Sequence, residues 1–125
     1  MLGAGQVGTS VAESLASDNE LTLVDINAQA LQGIQERAEL RTVVGHASQP
    51  DVLREAGAND ADMLIAVTNS DEANMVACQV AYTLFHTPTK IARVRTPEYL
   101  AHPELFQKGA IAIDGAGVIS TSRST

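Results

Sequence analysis

Gly3, Gly5 and Gly8 stand near the start of the chain in the spacing G-x-G-x-x-G, and Asp25 follows 20 residues after Gly5. Glycines so spaced, between a strand and a helix, suit the holding of nucleotide phosphates. The first permits a tight turn, the second lets backbone approach a pyrophosphate, and the third lets the helix pack closely on the sheet. The helix N-terminus adds free N–H groups and a partial positive charge. An aspartate at this distance accepts ribose hydroxyls, and its charge disfavours the 2′-phosphate of NADP. The loop Gly3, Ala4, Gly5, Gln6, Val7 and Gly8, together with Asp25, is therefore the first candidate cofactor site.

Arg93 and Arg95 lie two apart on an expected strand, so they share a face near its carboxyl end, where ligands of open α/β sheets bind. Guanidinium groups there supply more charge than a dinucleotide needs, as a triphosphate requires. The alternative is a pair of solvated arginines bonded to nearby acids. The stretch "VTNSDEAN" brings Thr68 and Asn69 to the same crevice. Ser70, Asp71 and Glu72 read chiefly as the capped, acidic first turn of a helix, and Asn74 is placed to face a ligand. His46 falls near an adenine. His46, His86 and His102 follow no metal-ligand spacing, so no metal site is expected. Cys78 sits on an apolar helix and reads as a buried, inert thiol. No nucleophile–base pair is visible, so no catalytic residue is assigned.

These residues require strands alternating with helices. Short apolar strands are expected at 21–25, 41–45, 63–67, 90–95 and 110–114. Val7, Val11 and Leu15 mark one helix, and Leu31, Ile34 and Ala38 mark another that Asn27 caps. "SQPDVLREAG" reads as a helix with Ser48 as N-cap and Gly57 as its stop. A long helix runs from near Ser70 to His86, and one over 97–109 is interrupted or bent near Pro103. This rhythm indicates a doubly wound, Rossmann-like parallel sheet of order 3-2-1-4-5-6. Only Met1 and Leu2 precede the loop, so the central first strand is expected to be largely truncated, with about four more apolar residues in a full-length relative. The domain is expected over 1–114, and 115–125 as a polar tail.

Composition narrows the partners. With 125 residues and 45 % apolar content the chain suits one folded domain. A formal charge of −7 argues against nucleic acid. The single cysteine fits a reducing cytoplasm. No apolar run reaches ~18 residues, the length of a membrane span. Between Met75 and Phe85 apolar residues surround the helix almost completely, which predicts a subunit interface along 71–86 with Tyr82 and Phe85 as anchors.

"GAGQVG", "LVD", "VVGHAS", "DADMLIAVTN" and "IARVR", with "PEYL" following, closely resemble the TrkA N-terminal (RCK, or KTN) domain family, the nucleotide-binding regulators of bacterial potassium uptake. The resemblance runs from Leu2 to about Ala112. It implies a non-enzymatic sensor in which NAD(H), with ATP or ADP as competing ligands, binds the crevice. Such a sensor gates a membrane potassium transporter or channel subunit from the inner face of the membrane, as a cytoplasmic, peripheral homo-oligomer. By position, Gly3, Gly5 and Gly8 would serve the phosphates and Asp25 the ribose. Gly45 and His46 would border the adenine, Thr68 and Asn69 line the crevice, and Arg93 or Arg95 meet the outer phosphate. Many relatives carry an acid where His46 stands. Two other readings use the same loop: the cofactor half of an NAD-dependent dehydrogenase, and an assembly module with an empty site.

Overall fold

The computed structural model describes residues 1–107 and 110–117. Among the described residues five parallel strands alternate with helices: α1 (Gln6–Ala16), β1 (Thr22–Asp25), α2 (Ala28–Gln35), β2 (Arg41–Val44), α3 (Pro50–Glu55), β3 (Met63–Ala66), α4 (Asp71–Val80), β4 (Thr89–Arg93), α5 (Pro97–Leu100) and β5 (Gly115–Gly117). Short 3-10 turns occupy Ala58–Asp60 and Pro103–Phe106, so the helix expected over 97–109 is two pieces divided ahead of Pro103. Among the described residues no helix is long and apolar enough to cross a membrane. The arrangement is α/β and Rossmann-like.

β1 pairs with β2, and β3 with β4 and then β5, all in parallel. Leu2 joins the two groups by bridging Val24 on one side and Ala66 on the other. Its N–H donates to the Ile65 carbonyl at 2.8 Å, and its own carbonyl accepts from Val67 N at 2.8 Å. Residues 1–3 thus do the work of a central strand over one residue pair on each side, and they deliver Gly3 to the carboxyl edge of the sheet.

Both faces are covered, which explains why "TLVD" and "MLIA" read as runs rather than alternations. Leu23 packs with Ala4, Ala12, Leu31 and Ile34 in one core cluster. Val24, its neighbour, belongs to the other, with Leu53, Leu64, Met75 and Cys78. Successive strand residues point to opposite faces, so α2 takes one side and α3 and α4 the other. Burial pushes the Cys78 thiol up to about 12, against the partly offsetting charge of Lys90, so it is a packing residue.

Four local expectations need correction. The N-cap of α3 is Gln49, not Ser48, with Pro50 at the helix start and Asp51 paired to Arg54 at 2.9 Å. The helix expected to run to His86 is α-helical only to Val80; Ala81–Phe85 forms a π-helical turn ended by His86 at φ 53°. Phe85 then lies buried in the domain's own core, with the Arg54 guanidinium 5.7 Å from its ring centre, so it is no outward anchor. The last strand is Gly115–Gly117 rather than 110–114, and so takes residues expected in the tail. The donors of 111–113 are spent elsewhere: Ile111 N on Leu105 O, Ala112 N on the Gln79 side chain and Ile113 N on Ile111 O. Asp114 then locks onto β4, its carboxylate accepting Lys90 N at 2.6 Å and lying 3.2 Å from the buried Lys90 ammonium. Residues 118–125 of the expected tail lie outside the described residues.

Candidate functional site

A crevice of about 670 Å³ opens at the carboxyl edge of the sheet. The topology puts it there: the loop after Leu2, the ends of β1 and β2, and the ends of β3 and β4 all converge on that edge. Gly3, Ala4, Gly5, Gln6, Val7, Asp25, Gly45, His46, Thr68, Asn69, Arg93 and Arg95 all line it. Its size falls within the range of ordinary small-molecule sites, about 300–1,000 Å³.

Gly8 does not line the crevice. A Cβ on Gly8 would stand 1.9 Å from the Gly3 carbonyl oxygen, so its bareness lets α1 seat against the loop. Gly3 has φ +109°, and a Cβ there would come within 2.8 Å of the Val67 and Thr68 backbone. Gly5 differs from both: a Cβ would meet nothing within 4 Å. Gly3 and Gly8 therefore build the turn, and Gly5 leaves open space in front of it.

That space suits an anion. Gly5 is the N-cap of α1, no side chain caps the helix, and no acid occupies its first turn, so the helix N-terminus keeps its free donors and its positive end. Arg93, which lines the same crevice, is 8 % exposed, and its Nε has no hydrogen-bond partner. A buried guanidinium N–H without an acceptor is costly, and the Arg93 charge at the crevice wall would attract a phosphate. Burial, and next the Arg95 charge, lower the pKa of Arg93, while Asp71 opposes them. Arg95 is exposed on the rim.

Asp25 holds the opposite wall. Its Oδ2 accepts Ala4 N at 2.7 Å and its Oδ1 accepts Asn27 N at 2.8 Å. Each oxygen keeps a lone pair for a ribose hydroxyl. Asn27 in turn caps α2 by accepting from Gln29 N and Ala30 N. Ile26, 63 % exposed, lies beside Asp25 and supplies an apolar surface that the sequence reading missed. The signal was an isoleucine directly after a strand-ending acid, a position where burial offers no reason for it. His46 is exposed on the β2 side of the crevice, and Gly45 sits tight against Val52, where a Cβ would come within 2.7 Å. The residues thus fit a nucleotide: donors and a cation for phosphate, a carboxylate for ribose, and apolar surface beside it. Among the described residues no group of three or more His, Cys, Asp or Glu side chains is placed to hold a metal ion.

The first turns of α4 are more than a cap. Ser70 does cap, accepting from Ala73 N. Asp71, however, is 6 % exposed and reaches to the end of β4, where its carboxylate accepts Arg95 N at 3.1 and 3.0 Å and Thr96 N at 2.7 Å. Burial alone would raise its pKa; the hydrogen bonds from Thr96 and Arg95 outweigh that and hold it below the usual carboxylate value. Asn74, expected to face a ligand, is fully buried and points into the protein. Glu72 accepts the Tyr99 hydroxyl at 2.8 Å.

Comparison with known proteins agrees with this fold. The TrkA-N domain profile matches residues 1–114. The Trk system potassium uptake protein TrkA of Vibrio alginolyticus is 61 % identical over 116 residues, covering 91 % of this chain and 25 % of that protein. The chain therefore spans about a quarter of the length of such a relative. In structure it resembles the TrkA-N domain of the inner membrane protein ybaL from Escherichia coli, with a TM-score of 0.76 at 23 % identity, covering 94 % of this chain and 83 % of that one. It also resembles the GsuK channel bound to NAD, with a TM-score of 0.69 at 22 % identity over 93 % of this chain and 20 % of the channel chain. The same channel bound to ADP gives 0.66 at 25 % identity, covering 94 % and 30 %.

Proposed function

The chain belongs to the TrkA-N domain family, and from that premise we propose that it is the nucleotide-sensing domain, over residues 1–114, of a regulator that gates a membrane potassium-uptake system. The observation that carries this reading is the pairing of the open space before Gly5 with the orphaned, buried Nε of Arg93 across one crevice. NAD(H) is the proposed ligand, with ATP and ADP competing for the same place. The phosphates would lie against the α1 N-terminus and Gly5, the ribose on Asp25, and the adenine between Ile26 and the Gly45–His46 edge. Arg93 and Arg95 would meet the outermost phosphate, so charge at that end distinguishes a triphosphate from a dinucleotide. A bound nucleotide supplies charge and shape here and undergoes no reaction.

The regulator would act at the inner face of the cell membrane as a cytoplasmic, peripheral homo-oligomer. Its proposed interface runs along residues 71–86, where Val76, Tyr82 and Leu84 stand about half exposed. The dehydrogenase reading uses the same glycines and Asp25 but gives Arg93 and Arg95 no task, and the uptake-protein relative carries a transport name. Potassium flux into vesicles holding the membrane subunit, measured with the full-length regulator, separates the two. The expected result is flux that changes when NADH or ATP is added; hydride transfer to a small substrate without any change in flux would support the dehydrogenase instead.

A further inference from the structure

Beyond Arg93 the β4 chain leaves the sheet, yet Val94 is fully buried and Arg95 and Thr96 hold a fixed course. Their support comes from α4. Asp71 accepts both N–H groups of Arg95 and Thr96, and Asn74, 0 % exposed, makes the remaining link. Asn74 Oδ1 accepts Thr68 N at 3.0 Å and the Thr68 hydroxyl at 2.6 Å, and its Nδ2 donates to Thr68 O at 3.2 Å and Arg93 O at 2.8 Å. One amide thus binds the end of β3 to the end of β4 through four hydrogen bonds, each end carrying residues of the crevice wall. Its acceptor faces only Thr68, and one of its two donors reaches Arg93.

We propose that Asn74 is a positioning residue for phosphate recognition: by holding the Arg93 carbonyl against Thr68 it fixes the root of the Arg93 side chain at the wall of the crevice that Gly5 also lines. This deepens the nucleotide reading and rests on it. Asn74 touches no ligand itself. A fully buried polar side chain whose hydrogen bonds are all made sets a unique local geometry, and removing its donors leaves the Arg93 carbonyl unpaired. The phosphate end of the crevice depends on that geometry, whereas the Asp25 end is held by Ala4 and Asn27 and does not.

The test compares ADP with adenosine, which share base and ribose and differ in phosphate. Asn74→Asp keeps the size and the acceptor toward Thr68 but as a carboxylate cannot donate to Arg93 O. The expected result is an ADP affinity lowered about tenfold, as loss of one or two hydrogen bonds implies, with adenosine affinity unchanged. Equal weakening of both ligands, or of neither, overturns the proposal while leaving nucleotide binding intact. If the unaltered chain binds ADP no better than adenosine, the phosphate reading itself fails, and this proposal with it. Should Asn74→Asp not fold, the unaltered chain still decides. The two Asn74 side-chain amide resonances should shift on ADP titration and stay in place on adenosine titration, and an ADP titration that leaves them unmoved overturns the proposal.

Discussion

Asp25 accepts the backbone N–H of Ala4 at 2.7 Å, so the carboxylate expected to hold the ribose also fastens the glycine loop to the end of β1. Ligand and loop therefore share one residue. Asp25→Ala should lower affinity for both NADH and ATP by about ten- to a hundredfold, from hydrogen bonds to a charged group worth ~1.5–3 kcal/mol. The same change leaves Ala4 N and Asn27 N without their acceptor, so the melting temperature should fall too. Calorimetric titration and thermal unfolding of one preparation check both; unchanged affinity removes the fingerprint from the account.

The glycines of the loop divide into Gly3 and Gly8, which build the turn, and Gly5, which has open space before it. Gly8→Ala forces a methyl to within 1.9 Å of Gly3 O and should destabilise the domain by about 3 kcal/mol or more, or prevent folding. Gly5→Ala meets only open space, so stability should stay within about 0.5 kcal/mol while nucleotide affinity falls sharply. Urea denaturation beside nucleotide titration reads the split. A Gly5→Ala chain that binds as well as the parent places the phosphate elsewhere.

Much of this was legible in the sequence because periodicity and spacing are local. The glycine loop, the strand closing on Asp25, the Asn27 cap and the strand ends bearing Thr68 and Arg93 all carry local signatures. What stayed hidden depends on contacts distant in sequence. Asp71 looked like a first-turn acid until folding placed the Arg95 and Thr96 amides beside it. Asn74 looked placed to face a ligand because its partner Arg93 lies on β4, distant in sequence, and only folding brings it together with Thr68 just beyond β3. The π-helical turn at Ala81–Phe85 has no periodic signature, and it turned Phe85 inward where a continued α-helix was expected. The last strand moved to Gly115–Gly117 because Asp114 secures β4 with its side chain.

Acid should expose the Asp71 link. Its pKa is held below the ordinary 3.8, so its contribution to stability is complete above that pH and is lost as pH falls through the lower folded-state value. Asp114, lowered chiefly by the Lys90 backbone hydrogen bond, acts in the same direction. Unfolding free energy should thus drop as pH falls below about 4 and on through the lower folded-state values. Asp71→Asn should be less stable than the parent at neutral pH by about 2–3 kcal/mol, since the Arg95 and Thr96 amides lose a charged acceptor, and its acid slope should be shallower. Parallel slopes for the two chains would show that Asp71 carries no such linkage.

The outer side of α4 and its π turn should hold subunits together. Tyr82 is 55 % exposed, with Lys90 Nζ 5.5 Å from its ring centre, and Val76 and Leu84 are exposed on the same 71–86 segment. Tyr82→Glu in the full-length protein should lower the mass seen by light scattering and leave NADH affinity within about twofold, since surface changes remote from a site usually alter energies by under ~0.5 kcal/mol. A parent protein that is already monomeric contradicts the interface.

The central claim is that one crevice, between the Gly5 turn and Arg93, takes both dinucleotide and adenine nucleotide. Its most direct test follows NADH fluorescence on the full-length protein while ADP and then ATP are added, for the parent and for a chain carrying Arg93→Gln and Arg95→Gln. The account predicts that NADH binds saturably, that both nucleotides displace it completely and competitively, and that the arginine changes weaken ATP more than NADH. NADH that fails to bind, that remains bound at saturating ATP, or an ATP-to-NADH affinity ratio unmoved by the arginine changes would contradict it.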